Sequence, residues 1–222
     1  MNNSLTHTAR LLGAGLRALL VLTLVTGVLY PLVVTGIAQG LFGGKANGSE
    51  IEADGRVVGS SLIGQSYDLP LREGQETPEP DLKWFQGRPQ NGLGTNSVNT
   101  RYQLILSGAT NRSADNRDLI DWVTAAKAAV VKDNSTAGYE VRPSEVPADA
   151  VTSSGSGLDP DISPQYADIQ VHRIAERNGL SVARVQRLVD EHTEGRTLGF
   201  LGEPRVNVLE LNIALEDLVA KG

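Results

Sequence analysis

The most restrictive feature of the sequence is a long stretch near the N-terminus that carries no charge. No Asp, Glu, Lys or Arg occurs from Ala18 to Gly44, and the 21 residues from Ala18 to Ala38 are almost entirely apolar. With a rise of roughly 1.5 Å per residue, a helix of that length spans about 31 Å, which matches a bilayer hydrocarbon core of about 30 Å. The sequence therefore predicts one membrane-spanning helix over residues 18–38.

The charges on either side of this segment predict its orientation. Arg10 and Arg17 precede it, and three carboxylates follow it closely, those of Glu50, Glu52 and Asp54. Basic residues near a membrane helix are retained in the cytoplasm. We therefore expect a single-pass protein of the plasma membrane, with residues 1–17 in the cytoplasm, a linker over residues 39–49, and an extracytoplasmic domain over residues 50–222.

A cleaved signal peptide is the alternative interpretation of the apolar run. Gly36-Ile37-Ala38 has the small-x-small pattern of a processing site. Signal peptides, however, have apolar cores of only about 7 to 15 residues, so we interpret the segment as a retained anchor. Pro31 removes one backbone hydrogen bond, which neighbouring membrane helices can replace, and Gly27 and Gly36 permit close approach of another helix. The anchor is predicted to pack against partner helices.

The remaining segment has the size and charge of one acidic domain. Residues 45–222 hold 18 basic and 26 acidic residues, a formal balance of −8. Binding to nucleic acid is excluded as a main function, because phosphate contacts need clustered Lys and Arg. The absence of cysteine excludes disulfides and thiolate metal sites, and the three histidines occur in no metal-binding pattern. We predict no metal site and no tightly bound cofactor.

Local sequence signals predict an α+β domain with β elements early and helices late. Asp54-Gly55 between short apolar runs indicates a hairpin, and the Gly- and Pro-rich residues 66–116 indicate mostly loop. Apolar residues at helical spacing predict a helix over 119–132, followed by a loop over 134–157. Capping residues predict three more helices, over residues 163–178, 181–192 and 207–219.

Candidate catalytic residues are few. No metalloprotease helix, calcium-binding loop or nucleophile elbow occurs in the sequence. Because Ser-His-Asp triads are spatial, an anchored hydrolase stays open as a hypothesis, with Ser154 or Ser156, Asp159 and His172 converging. The simpler interpretation is that the serines and glycines form a tight loop and that His172 lies on a helix surface.

Four segments, in order, resemble the KdpC family of the bacterial Kdp-type potassium-transporting ATPases. They comprise residues 59–65, the aromatic–Gly–Arg–Pro turn at 85–89, the run over 146–164, and the run over 201–212. The residues that carry the resemblance, expected to be structural, are Gly59, Gln65, Gly87, Arg88, Pro89, Pro160, Glu203, Pro204, Asn207 and Asn212. The resemblance spans the whole chain but departs from the family pattern in the loop Asn91–Asn116.

The resemblance implies one component of a four-component potassium pump. Its partners would be a P-type ATPase subunit that hydrolyses ATP, a channel-like potassium subunit and a very small helical subunit. The family is described as a catalytic chaperone that raises the ATP affinity of the hydrolysing subunit, so ATP would act directly on this chain or through that subunit. The candidates for nucleotide or partner contacts are Ser154, Gly155, Ser156, Gly157 and Asp159.

The sequence supports a non-catalytic role within such a pump. It has neither the phosphorylation motif Asp-Lys-Thr-Gly-Thr nor the filter motif Thr-Val-Gly-Tyr-Gly. With the domain expected outside and ATP inside, either the predicted orientation is wrong or an effect on ATP affinity is allosteric, through the membrane helix and partner subunits. We therefore expect an assembly and regulatory subunit. The alternative is a membrane-anchored extracytoplasmic binding protein that acts alone.

Overall fold

The computed structural model describes residues 2–75, 78–89, 107–108 and 111–221. It divides into two compact units, Met1–Glu50 and Ile51–Gly222. Most of the divergent loop Asn91–Asn116 lies outside the described residues.

The first unit is one long helical segment. It consists of α1 (Asn2–Leu24), a π-helical turn (Val25–Leu29), α2 (Tyr30–Leu41) and the short α3 (Gly43–Ala46). The residues from Ser4 to Leu41 form a helix long and apolar enough to cross a membrane, with a mean hydropathy of 2.2 in its most apolar window. This segment extends beyond the predicted 18–38, because α1 continues through the N-terminal residues. At roughly 1.5 Å per residue, it exceeds the thickness of a bilayer core.

The π-helical turn alters the backbone hydrogen bonds near Pro31. The Tyr30 amide donates to the Val25 carbonyl, five residues back. Pro31 has no amide hydrogen to donate. Neither residue therefore donates an amide hydrogen to the Thr26 carbonyl, and the Thr26 hydroxyl itself donates to the Leu22 carbonyl at 2.7 Å. A carbonyl that loses such donors inside a membrane is stabilised by a donor from a neighbouring helix.

The early hairpin is confirmed. Strands β1 (Glu50–Ala53) and β2 (Arg56–Ser60) form a two-stranded sheet. Asp54 and Gly55 between them have φ angles of 51° and 72°. A two-residue turn of this type needs positive φ at both central positions, which Asp and Gly tolerate best.

The four predicted helices of the domain are also confirmed. They are α4 (Arg117–Asn134), α5 (Pro164–Asn178), α6 (Val182–Glu191) and α7 (Val208–Ala220). Each begins after a side chain that accepts a hydrogen bond from the amide three residues on, these caps being Asn116, Ser163, Ser181 and Asn207. Helix α5 ends at Gly179, whose φ of 65° is the left-handed conformation that favours glycine.

A second, later sheet was not predicted from the sequence. Strands β3 (Asp161–Ile162), β4 (Thr193–Glu194) and β5 (Arg205–Asn207) pair antiparallel in the order β3-β5-β4. Strands of two or three residues are too short to show an alternating pattern. Val206 and Ile162 of this sheet are buried and belong to the same core as residues of α5, α6 and α7. The α+β order is otherwise as predicted.

Candidate functional site

The serine loop, defined as Ser153–Gly157, is closed by its own hydrogen bonds. The Gly157 amide donates to the Ser154 hydroxyl at 2.9 Å, and the Leu158 amide donates to the Ser156 hydroxyl at 3.1 Å. The two hydroxyls lie 3.1 Å apart. Gly157 has a φ of 70°, which an L side chain rarely adopts. The hydroxyls that were candidates for nucleotide or partner contacts therefore stabilise the turn.

Arg88 joins the serine loop to the Gly–Arg–Pro turn formed by Gly87, Arg88 and Pro89. Its Nη1 atom lies 3.0 Å from Oδ2 of Asp159, and its Nη2 atom donates to the Ser153 and Thr152 carbonyls at 3.3 and 3.4 Å. The side chains of Arg88 and Asp159 are only 22% and 31% exposed, so solvent screens this ion pair less than a surface pair. Two motif segments about 70 positions apart are thereby held together.

The geometry does not assemble the hypothetical hydrolase triad. His172 on α5 stacks on Tyr139, with ring centroids 4.0 Å apart and planes within 5° of parallel. Asp159 binds Arg88 and accepts from the Asp161 amide at 3.1 Å. Among the described residues, no hydrogen bond connects His172 with Asp159 or with either serine.

Gly59 and Gln65 are explained by one close contact. Gln65 Nε2 donates to the Val58 carbonyl at 2.8 Å, which places the side-chain amide over Gly59. A Cβ atom at position 59 would come within 2.1 Å of that nitrogen and 2.8 Å of Leu209 Cδ2. Only glycine fits here without displacing both side chains. Gly64 next to this contact donates to the Leu158 carbonyl at 2.8 Å.

Two buried amides hold the chain where the aromatic–Gly–Arg–Pro turn begins. Asn212 of α7 accepts from the Phe85 amide at 2.9 Å and donates to the Phe85 carbonyl at 3.0 Å. Gln170 of α5 does the same for Gln86, at 2.7 and 3.0 Å. Each side-chain amide thus satisfies both backbone groups of one residue, as a neighbouring strand would. These two amide clamps fasten residues 85–86 to two helices.

Arg173 lies beside these clamps and is almost fully buried, with 2% of its surface exposed. It donates to Asn134 Oδ1 at 2.8 Å, to Gln170 Oε1 at 2.7 Å, to the Trp84 carbonyl at 3.0 Å, and to the Leu82 carbonyl. It forms no salt bridge with any residue that the structure describes, so carbonyl and amide oxygens solvate the charge. Burial lowers the pKa of Arg173 to about 10, which still leaves it protonated at neutral pH.

The later motif residues connect the small sheet to its surroundings. Asn207 caps α7 and donates to the Ser61 carbonyl at 2.9 Å, and the Pro160 carbonyl accepts from the Val208 amide at 3.0 Å. Glu203 pairs with Arg196, and Pro204 directly precedes β5. Burial raises the pKa of Asp161, although Arg205 at 3.1 Å opposes that shift.

The three membrane-helix residues have open surroundings. A Cβ atom at Gly27 would meet only Thr23 Cγ2 at 3.9 Å, and one at Gly36 would meet nothing within 4 Å. Pro31 lies in the first turn of α2, directly after the π-helical turn. The described residues therefore leave space at each of the two glycines for the close approach of another helix.

Gln170 and Arg173 were not predicted from the sequence. Both lie on α5 among the buried residues Tyr166, Ala167, Val171 and Ile174. A Gln and an Arg three positions apart within an otherwise apolar helical stripe is an unusual pattern. That sequence pattern is the feature from which a buried polar network could have been predicted.

The Arg88–Asp159 pair yields a specific expectation. Replacing Arg88 with Met should lower the free energy of unfolding by about 2 kcal/mol, since it leaves one carboxylate and two carbonyls without their donor. Proteolytic cleavage in the serine loop should become faster. Urea unfolding and limited proteolysis measure the two effects. A double-mutant cycle with Asp159→Asn that shows no coupling would contradict this role for the pair.

Comparison with known proteins identifies the family. The model of the family "K+-transporting ATPase, c chain" matches residues 12–217. A "Potassium-transporting ATPase KdpC subunit" of Streptomyces avermitilis is 82% identical over 220 residues, covering 99% of both chains. The protein of that name from Streptomyces coelicolor is 78% identical over 222 residues, covering 100% of this chain and 99% of the relative.

More distant relatives agree over nearly the same length. The Mycobacterium tuberculosis protein with that name is 41% identical over 203 residues, covering 91% of this chain and 96% of its own. The family match over residues 12–217 covers the positions of the amide clamps and of the serine loop in this chain. The chain belongs to the KdpC family of potassium-transporting ATPase components.

Proposed function

We propose that this chain is a non-catalytic assembly and regulatory subunit of an ATP-driven potassium uptake pump. Its partners would be a hydrolysing P-type subunit, a channel-like subunit and a small helical subunit. Besides the family, the proposal rests on the contacts that the polar motif residues make. Asn212, Arg88 and Asp159 bind other parts of the same domain, so they stabilise a scaffold.

The membrane helix supports association with other membrane helices. The Thr26 carbonyl receives no amide hydrogen from Tyr30, which donates to Val25, or from Pro31, which has none to donate. An unsatisfied carbonyl in lipid costs several kcal/mol, a cost that a hydroxyl or amide side chain of a neighbouring helix removes. Gly27, one residue on, lets such a helix approach closely.

We place the domain outside the cytoplasm, over the channel-like subunit. Support comes from Arg10 and Arg17 before the apolar run and from the acidic balance after it. In that arrangement the domain cannot reach cytoplasmic ATP. Any rise in ATP affinity would be allosteric and would pass through the membrane helix and the partner subunits. The serine loop supports this, since its hydroxyls are already hydrogen-bonded within the turn.

The first test is affinity purification of the tagged chain from native membranes in mild detergent. We expect a P-type ATPase subunit and a channel-like subunit to be recovered with it. Deleting Met1–Phe42 should abolish their recovery, because the helix provides the contact inside the membrane. A matched control replaces these residues with an unrelated membrane helix of equal length, which restores anchoring but should not restore recovery.

Two results would contradict the proposed function. Recovery of the intact chain alone, in several detergents, would favour an anchored binding protein that acts by itself. Full recovery of the pump with the unrelated helix would show that the native membrane helix makes no specific contact.

A further inference from the structure

The hairpin tip, defined as Thr197–Leu201, lies between β4 and β5 and is strongly apolar at its surface. Leu198, Phe200 and Leu201 are 80%, 69% and 51% exposed. Single exposed apolar residues are common on protein surfaces, but a contiguous cluster marks an interaction site. Three such side chains within four positions are therefore a candidate contact.

The hairpin tip is held in one conformation by backbone hydrogen bonds. The Thr197 and Leu201 amides exchange hydrogen bonds with each other's carbonyls at 2.9 and 3.0 Å, and the Gly199 amide donates to the Arg196 carbonyl at 3.0 Å. Leu198 has a φ of 55°, a left-handed conformation that is costly for a residue of this type. The fold maintains this strained conformation with the leucine exposed. Strained backbone of this kind is concentrated at functional positions.

Charges around the hairpin tip favour a protein surface over a lipid surface. Glu203 lies 2.5 Å from Arg196, and Glu194 lies 2.8 Å from Arg205, so the base of the tip has no surplus charge. Attraction to anionic lipid needs an excess of Lys and Arg, and residues 193–207 contain neither that excess nor an interfacial Trp or Tyr. The acidic domain as a whole would also be repelled by such a surface.

We propose that the hairpin tip inserts its apolar side chains into an apolar recess on the channel-like subunit of the pump, over which the domain is placed above. The inference rests on the proposed function, since it requires that the chain assembles with such subunits. Leu198 and Phe200 are the anchors, and the paired charges at the base form a neutral polar rim. Rigid apolar anchors surrounded by polar residues are typical of interface hot spots. The rigid tip adds affinity because little conformational entropy is lost on docking.

Cysteine labelling tests the proposal directly, since the natural chain contains no cysteine. Single variants Leu198→Cys and Phe200→Cys are labelled with a water-soluble maleimide in three preparations: the chain alone in detergent, the chain alone in liposomes, and the assembled pump. We expect rapid labelling in the first two and labelling slowed by about tenfold or more in the pump. Leu71→Cys, at a position 57% exposed in the same domain, is the control and should keep its rate.

Each other outcome overturns the inference. Equal labelling of the hairpin tip in all three preparations shows that it makes no contact within the pump. Slow labelling in liposomes without the partner proteins identifies the bilayer as the contact. Slow labelling that depends on the concentration of the isolated chain identifies self-association. An equal slowing at Leu71→Cys shows general shielding of the domain instead of a specific contact.

A second variant separates this inference from the proposed function. The double variant Leu198→Ser/Phe200→Ser should recover the pump subunits at least about tenfold less efficiently than Leu71→Ser does. Its urea unfolding curve should match that of the natural chain, because the replaced side chains are exposed. If the natural chain recovers the pump and the double variant does so equally well, only the hairpin tip inference fails. If the natural chain recovers none of the pump, the proposed function fails.

Discussion

Replacing Arg173 with Met should lower the free energy of unfolding of the domain by about 3 kcal/mol. The substitution leaves Asn134 Oδ1 and the Leu82 carbonyl without their donor, whereas Gln170 Oε1 and the Trp84 carbonyl each keep a second donor from Gln86. At roughly 2 kcal/mol for each of the two unsatisfied groups and roughly 1 kcal/mol for each of the two other lost hydrogen bonds, the gross loss is about 6 kcal/mol. The pKa of Arg173 is lowered to about 10, and removing this buried charge returns about 3 kcal/mol.

The balance between these two contributions decides whether the substitution stabilises or destabilises the domain. Buried ion pairs are often replaced by apolar residues at no cost, because both charged partners leave together. Here only the cation leaves and its neutral acceptors stay, so destabilisation should prevail. A loss of this size corresponds to a fall in Tm of about 9 °C for a domain of this length.

Arg177→Met is the matched control, since Arg177 lies one turn further along α5 and is exposed. Urea and thermal unfolding of the full chain in detergent, followed by near-UV circular dichroism, measure both variants. Equal stability of Arg173→Met and Arg177→Met would show that the Arg173 contacts contribute nothing to the fold.

Replacing Asn212 with Leu should cost about 3 kcal/mol. The change preserves volume approximately but removes both hydrogen bonds to Phe85, whose amide and carbonyl are then buried without partners. Two orphaned backbone groups cost about 4 kcal/mol, and the added apolar surface returns about 1 kcal/mol. Glu210→Leu, at an exposed position on the same helix, is the control and should change stability by less than about 0.5 kcal/mol.

A double-mutant cycle with Gln170→Leu tests whether the two amide clamps act together. They bind consecutive residues, Phe85 and Gln86, so loss of one should already loosen the segment that the other holds. We expect the double variant to lose less stability than the two single losses combined, by about 1 kcal/mol or more. Strict additivity would mean that the clamps hold this segment independently.

These stability effects bear on function through folding. The clamps, Arg173 and the Arg88–Asp159 pair position the loops that carry the family motifs, and Gln170, Arg173 and Asn212 among them are buried. Loss of pump assembly in such variants should therefore follow loss of folded domain. Variants of the hairpin tip should instead lose assembly while the domain stays folded.

Much of the fold could be predicted from local signals. Asp54-Gly55 determines its turn because both positions need positive φ. Ser163, Ser181 and Asn207 determine helix starts because each side chain satisfies an amide of its own first turn. The membrane helix follows from length and apolarity alone. These interactions join residues a few positions apart, so the sequence displays them directly.

The candidate site needed the tertiary structure, because its interactions join distant parts of the chain. Asn212 and Phe85 are 127 positions apart, and Arg173 and Leu82 are 91 apart. No local pattern indicates which buried side-chain amide binds which backbone segment. Strands as short as β3 are too short to show an alternation of apolar and polar residues. The sequence by itself determined the long apolar N-terminal helix, the four helices of the domain and the family resemblance, through local propensity and motif order. Only the tertiary structure decided what the motif residues do, because burial makes each unpaired polar group costly and thereby selects its partner.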